Sequence, residues 1–263
     1  MSHRPKYTQA PLFEWGDTPA DRPYAPNAYD SVKEAPEKSL VRAAFVAAAP
    51  AGGRVMTLPG RTWKTELLLQ SKGVVKFTAC ERHAATFLAM PGYMPRSLPG
   101  LNHWRDQATR AEFFATDSAK VFHMDANDMI LASGDRWREF RRKHGRWDAV
   151  WLDYCGPLSM PVLRAASRLR QWVRRGGDAA YVGITFMGAR DSREMSRLAA
   201  SFGGRFELLE AALADGGGFS KAERFTYGTS ANNVSMHHLS GYIEPPASGS
   251  AAKKSPTTTT YHA

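Results

Sequence analysis

Residues 54–82 restrict the fold of this chain more than any other stretch. Their sequence is RVMTLPGRTWKTELLLQSKGVVKFTACER. An apolar run at 54–58 meets a turn at Pro59-Gly60, a segment with helical spacing of apolar residues follows, and Gly73 precedes a second apolar run at 74–80. This order predicts a strand, a sharp turn, a helix and a second strand, which together form the opening half of a parallel α/β sheet.

The second predicted strand ends on an acid, Glu81, followed by Arg82. In such sheets ligands bind beyond the carboxyl ends of the strands, where a carboxylate can accept hydrogen bonds from the two hydroxyls of a ribose. The sequence therefore predicts a nucleoside-binding role for Glu81, with a solvated surface pair of Glu81 and Arg82 as the alternative. The glycine-rich G-x-G-x-x-G pattern is absent, and Leu58-Pro59-Gly60 stands in its place.

Strand-like and helix-like segments alternate along the rest of the chain. Further strands are predicted at 121–124, 147–152, 179–186 and 206–209, helices at 37–49, 82–90, 103–119, 129–144, 160–175 and 193–202, and a terminal hairpin at 223–229 and 233–243. This alternation predicts an α/β fold: a doubly wound, mostly parallel seven-stranded sheet with helices on both faces and an antiparallel C-terminal hairpin. Residues 1–36 are predicted to form an extended N-terminal arm, 37–244 the folded domain, and 245–263 a disordered tail.

Composition limits the environment and the partners. Two cysteines are too few for a disulfide framework and predict a reducing, cytoplasmic location. No apolar run approaches the roughly 20 residues that cross a bilayer, so no membrane role is predicted. The net charge of +10 favours an anionic partner, with nucleic acid first. The sequence does not indicate an oligomeric state.

Two clusters of polar residues allow more than one interpretation. The first is a basic cluster in and just after the predicted helix at 129–144, which consists of Arg136, Arg138, Arg141, Arg142, Lys143 and Arg146. This cluster is either an exposed, solvated helix face or a phosphate-binding stripe. His237 and His238 are adjacent in a predicted strand and so point to opposite faces. Together with His123 they are interpreted as structural or exposed, and no metal site is predicted.

Three predicted strands are each followed by an acid: Glu81, Asp125 and Asp153. Because the carboxyl ends of parallel strands lie at one edge of a sheet, we expect these three carboxylates to converge on one cleft.

With these acids in this order of elements, residues 40–243 resemble the class I, Rossmann-like S-adenosylmethionine-dependent methyltransferases. The family's first motif has an acid and two or three glycines, whereas this turn has only Pro59-Gly60. The resemblance implies that S-adenosylmethionine is the cofactor. It also implies that the turn after the first strand holds the methionine part of the cofactor and that the end of the second strand binds the ribose. The end of the third strand then adjoins the adenine, and the end of the fourth strand faces the methyl group. The matching residues are Thr57, Leu58, Pro59, Gly60, Glu81, Arg82, Asp125, Ala126 and Asp153.

The fourth strand end is the predicted catalytic segment, Asp153, Tyr154, Cys155, Gly156 and Pro157. Nucleic-acid amino methyltransferases of the family carry Asp/Asn-Pro-Pro-aromatic there, so the order of residue types differs. An oxygen of Asp153 can accept a hydrogen bond from an exocyclic amine, and Tyr154 can stack on a flipped base. Cys155 offers an alternative as a nucleophile on a pyrimidine, or it is a buried structural thiol.

The resulting prediction is methyl transfer to an exocyclic amine of a base in DNA or RNA. The alternative is a catalytically inactive, methyltransferase-like protein that binds nucleic acid. A nicotinamide-dependent oxidoreductase is disfavoured by the absent glycine pattern and by the terminal hairpin.

Overall fold

The computed structural model describes residues 36–59, 64–74, 76–82, 87, 102–105, 112–115, 119–173, 179–188, 191–215, 217–229 and 234–244. Residues 1–35 of the arm predicted at 1–36, the tail predicted at 245–263, Gly60 and most of the helix predicted at 82–90 lie outside these residues. Within them, no helix combines the length and apolarity needed to cross a membrane.

Helices and strands alternate through the described part of the chain. The helices are α1 (Pro36–Ala48), α2 (Lys64–Ser71), α3 (Ala126–Leu131), α4 (Asp135–His144), α5 (Met160–Arg168), α6 (Arg193–Ser201) and α7 (Arg205–Ala214). The strands are β1 (Arg54–Thr57), β2 (Lys76–Glu81), β3 (Asn102–Arg105), β4 (Glu112–Ala115), β5 (Ala119–His123), β6 (Ala149–Pro157), β7 (Ala180–Met187), β8 (Phe219–Thr229) and β9 (Val234–Ile243).

The strands form a sheet in the order β3-β4-β5-β2-β1-β6-β7-β9-β8. The five central strands, β5-β2-β1-β6-β7, are parallel, and antiparallel pairs complete each side. The chain runs outward from β1 to β2 and β5, then crosses back to β6 and β7. The strand order therefore reverses between β1 and β6, which is where open α/β sheets form their ligand crevice.

Helices pack on both faces of the sheet through buried apolar side chains. On one face, Phe45 of α1 packs on Trp151 of β6 with ring centroids 4.9 Å apart. On the other face, α3, α5, α6 and α7 contribute to the larger core, in which Trp147 and Trp172 stack at 4.7 Å. The doubly wound α/β class with a C-terminal antiparallel hairpin is confirmed.

The sheet has nine described strands rather than the predicted seven. Two of them were not predicted, because the helix predicted at 103–119 is wrong. That segment holds β3 and β4, an antiparallel pair in which His103 and Trp104 oppose Phe114 and Phe113. Aromatic residues favour strands and pair well across them. Phe113 also packs against Phe122 of β5 at 5.0 Å, which joins the added pair to the core.

The strand predicted at 206–209 is also wrong, since these residues lie in α7. Its buried residues Leu208, Leu209 and Leu213 have helical spacing and face the core. The helix predicted at 129–144 is two helices, α3 and α4, separated at Gly134. That residue has φ +90°, a left-handed conformation that suits glycine.

Candidate active site

The predicted acids lie at the carboxyl edge of the central parallel strands. Glu81 is the last residue of β2 and is in register with His123, two residues before Asp125. Asp153 lies in β6, which is separated from β5 by β2 and β1. At about 4.8 Å per strand, the tips of β5 and β6 are about 14 Å apart.

Asp125 organises the end of β5 and the start of α3. One carboxylate oxygen accepts the backbone N–H of Asn127 at 2.8 Å and caps the helix, while the other lies 3.6 Å from the Arg82 guanidinium. Burial, followed by the negative charges of Asp125 and Glu81, raises the pKa of the neighbouring Cys80 thiol well above its usual value. Glu81 and Asp125 therefore both lie near Cys80.

Tyr154 joins the tip of β6 to this region. Its hydroxyl donates a hydrogen bond to the side-chain carbonyl oxygen of Asn127 at 2.6 Å. Burial, followed by the charge of Asp125, raises the pKa of Tyr154 well above its usual value, so the phenol is neutral at physiological pH. Burial and Asp125 also raise the pKa of Asp128.

Asp153 faces the opposite side of β6 from Tyr154, because successive side chains of a strand alternate. Its Oδ2 lies 2.7 Å from the Lys38 ammonium of α1. Its Oδ1 is buried and has no hydrogen-bond partner among the described residues. One acceptor atom of the carboxylate is thus paired and the other is available.

A row of polar side chains extends from Asp153 across the sheet. Thr185 of β7 is in register with both Asp153 and His238 of β9, and its hydroxyl lies 2.9 Å from Nδ1 of His238. His238 is 1% exposed, and its ring centre is 5.1 Å from that of Trp151. Burial lowers the pKa of His238 to about 4, although Asp153 opposes the shift.

The turn after β1 rests on a buried polar cluster. The Leu58 N–H donates to the Trp151 carbonyl at 3.2 Å, and Thr57 and Pro59 are buried. Glu66 of α2 is fully buried beside Thr57, and burial raises its pKa while Thr57 and Arg42 oppose the shift. Although Thr57 is close enough to affect that pKa, neither side chain meets hydrogen-bond geometry with a described residue.

The remaining predicted residues have simpler positions. Ala126 is the buried first residue of α3, and the Arg82 side chain is 46% exposed. Pro157 ends β6 in register with Met187, past an irregularity that starts at Asp153. The Cys155 side chain lies outside what the structure describes. No group of three His, Cys, Asp or Glu residues that can hold a metal occurs among the described residues.

Sequence reasoning missed three residues of this edge. Asn127 was detectable, because an Asp-x-Asn run after a strand is typical of a helix start. Lys38 gave no local signal, since its approach to Asp153 depends on how α1 crosses the sheet. Glu66 looked like an ordinary polar residue of α2, and only its complete burial singles it out.

The sequence matches no protein-family model and no curated protein. Solved structures share the fold. The N-methyltransferase NodS from Bradyrhizobium japonicum WM9, in complex with S-adenosyl-L-homocysteine, superposes with a TM-score of 0.52 at 10% identity, covering 86% of this chain and 97% of NodS.

Two other structures are similar at lower TM-scores. A candidate rRNA methylase from Clostridium thermocellum has a TM-score of 0.47 at 9% identity, with 80% of this chain and 97% of that chain covered. SMU.776, a candidate methyltransferase complexed with SAH, has a TM-score of 0.44 at 12% identity, with 77% of this chain covered. This chain spans only 49% of SMU.776. The likeness to NodS, together with the strand order, shows the Rossmann-like fold of S-adenosylmethionine-dependent methyltransferases.

Proposed function

We propose that this protein is an S-adenosylmethionine-dependent methyltransferase that methylates an exocyclic amine of a base in DNA or RNA. The observation that carries the proposal is the set of polar groups at the carboxyl edge of β5, β2 and β6, beside the reversal of strand order. The methyltransferase fold and the NodS complex support it. The cysteine content supports a cytoplasmic location.

The chemistry of these groups suits an adenosine-type cofactor. The Glu81 carboxylate would accept hydrogen bonds from the ribose hydroxyls, and the Asp125–Ala126 segment would adjoin the adenine. Thr57, Leu58 and Pro59 would line the methionine end. S-adenosylmethionine supplies an electrophilic methyl group on a sulfonium sulfur.

The fourth strand end would bind the acceptor. The unpaired Oδ1 of Asp153 would accept an N–H of the acceptor amine and point the nitrogen lone pair toward the methyl carbon. Lys38 would hold the Asp153 carboxylate in a fixed orientation. The proton released from the amine would pass to solvent, and positioning rather than acid–base strength would provide most of the rate.

Two observations bear on the acceptor and on the alternative. The net charge of +10 supports a nucleic acid over an uncharged small molecule. The alternative is a catalytically inactive nucleic-acid-binding protein. It is supported by the Lys38–Asp153 ion pair, which engages one of the two carboxylate oxygens of Asp153. The shortened turn after β1, with only Pro59-Gly60, also supports this alternative.

Calorimetric titration with S-adenosylmethionine tests the cofactor assignment. Glu81→Ala removes two charge-assisted hydrogen bonds worth about 1.5–3 kcal/mol each, so we expect at least a tenfold loss of affinity. Glu194→Ala is the matched control, because Glu194 is an exposed acid on α6. Equal affinity of Glu81→Ala and wild type would refute the ribose assignment.

A tritium-methyl transfer assay on mixed DNA and RNA separates the enzyme from its alternative. We expect incorporation with wild type and loss of incorporation with Asp153→Ala, which removes the accepting oxygen, at unchanged cofactor affinity. Cofactor binding without transfer to any nucleic acid would favour the inactive protein. A wild type that binds no S-adenosylmethionine would end the proposal.

A further inference from the structure

The opposite edge of the sheet contains a cleft with a concentration of positive charge. We call it the amino-edge cleft, since it lies at the start of β1, β2 and β5. Its volume is about 80 Å³. Its lining includes Arg54, Lys76, Thr78, Lys120 and His144.

The backbone register brings these side chains to one face of the sheet. Arg54 of β1 is paired with Lys76 of β2, and Thr78 of β2 with Lys120 of β5. Paired residues on neighbouring strands project to the same face, so the three cations line one short surface. The end of α4 closes it, because the Lys120 ammonium lies 3.3 Å from Nδ1 of His144.

Hydrogen bonds to α4 hold the cleft in shape. The Arg54 guanidinium donates to the backbone carbonyls of Lys143 and Gly145 at 3.4 and 3.2 Å. The Thr78 hydroxyl donates to the carbonyl of His144 at 3.2 Å. These bonds fix the position of the Arg54 guanidinium. The Asp148 carboxylate accepts the Arg54 backbone N–H at 2.8 Å, but no salt bridge among the described residues joins a carboxylate to the guanidinium.

The cations of the cleft repel one another. Within the described ranges, Arg54, Lys76, Lys120 and Lys143 take part in no salt bridge. Burial lowers the pKa of Lys120, and the charges of Arg54, Lys143 and Lys76 lower it further. A bound anion would relieve this repulsion.

The neighbouring basic stripe of α4 is different. Arg138 forms an ion pair with Asp135, and Arg142 forms one with Glu139. Arg141 lies over the Trp172 ring and donates to the Ala132 carbonyl. The sequence drew attention to α4, whereas the cations that line the cleft come from β1, β2 and β5 beside the end of that helix.

We infer that the amino-edge cleft is an anion site that binds a backbone phosphate of the nucleic acid, on the edge of the sheet opposite the candidate active site. A guanidinium and two ammonium groups are typical phosphate ligands. The inference rests on the proposed function for the source of the phosphate. From Lys76 to Glu81 is about 17 Å along β2, a span that a few nucleotides of extended strand cover.

The test is fluorescence anisotropy with a labelled single-stranded RNA and the equivalent DNA, each about 20 nucleotides, between about 50 and 200 mM salt. Lys76→Gln/Lys120→Gln removes two cleft charges and leaves Arg54 and its structural hydrogen bonds. Arg197→Gln/Lys221→Gln is the charge-matched control. Arg197 and Lys221 are exposed, and Lys221 is on the far edge strand β8, about 24 Å from β2.

We expect the cleft variant to bind at least tenfold more weakly at the lower salt concentration. Its slope of log affinity against log salt should fall by about 0.7, the value for loss of one phosphate contact to a single strand. The control should keep the wild-type slope. Equal weakening of both variants, an unchanged cleft variant, or a wild type that binds neither nucleic acid would overturn the inference.

Two further measurements keep the result interpretable. Circular dichroism and thermal unfolding check the fold of the double variant, and the single variant Lys76→Gln, at an exposed position, repeats the test if the double variant is unfolded. In that case we expect a smaller fall in the slope, below about 0.7. Calorimetry with S-adenosylmethionine on the same samples separates the two proposals. A wild type that binds no cofactor would refute the proposed methyltransferase function, whereas the salt slopes alone test the phosphate site in the cleft.

Discussion

Removal of the His238 imidazole should change how the stability of the protein depends on pH. His238 is 1% exposed, and its pKa is lowered from 6.5 to about 4, chiefly by burial. Folded protein therefore holds it neutral at a pH where the unfolded chain protonates it. The stability that this provides is present in full above pH 6.5 and is lost as the pH falls toward the folded pKa.

The size of the effect follows from the two pKa values. At 1.36 kcal/mol per pKa unit, the complete loss is about 3 kcal/mol. Between about pH 8 and about pH 5, the part that is lost is about 2 kcal/mol. Because the imidazole is buried, solvent screening does not reduce this figure much.

Urea unfolding of wild type and of His238→Gln at the two pH values measures this contribution. Glutamine keeps a polar group near the Thr185 hydroxyl but does not titrate. The wild type should lose about 2 kcal/mol more than the variant on acidification, and taking the difference cancels the other titrating groups. Parallel pH profiles for the two proteins would refute a neutral, buried His238.

Two core substitutions test the packing beside the site. Trp172→Ala removes a buried ring that stacks on Trp147 at 4.7 Å. It should lower the free energy of unfolding, measured by urea titration, by about 3–5 kcal/mol. A loss below about 1 kcal/mol would contradict this packing. Gly183→Ala places a Cβ 3.0 Å from Cε3 of Trp151 and 3.1 Å from Cε1 of His238, so overpacking should cost about 1–3 kcal/mol. An unchanged denaturation midpoint for Gly183→Ala would show that these rings move aside.

The parts of the fold that local pattern determines were predicted from the sequence. Continuous apolar runs located β1, β2, β6 and β7, because strands buried on both faces have no polar alternation. The order of acids at the ends of these runs then placed Glu81, Asp125 and Asp153 on one edge. This step needs only the parallel direction of the strands.

The errors arose where tertiary contacts decide the structure. Residues 102–105 and 112–115 lie in a segment with helix-compatible polar spacing, yet pairing of β3 with β4 and of β4 with β5 makes them strands. Residues 206–209 read as a strand when taken alone, but the spacing of Leu209 and Leu213 belongs to a longer helix. The Lys38–Asp153 pair and the burial of Glu66 depend on how distant segments meet, and no local pattern records that.

The contact between Lys38 and Asp153 has a practical consequence for where this protein can be cut. A shortened version starting at β1 would retain all nine described strands and every acid of the edge. It would nevertheless lose the ammonium group beside the fourth strand tip, together with the aromatic ring that α1 lays on Trp151. Boundaries drawn around the sheet alone would thus remove a side chain that contacts the candidate active site.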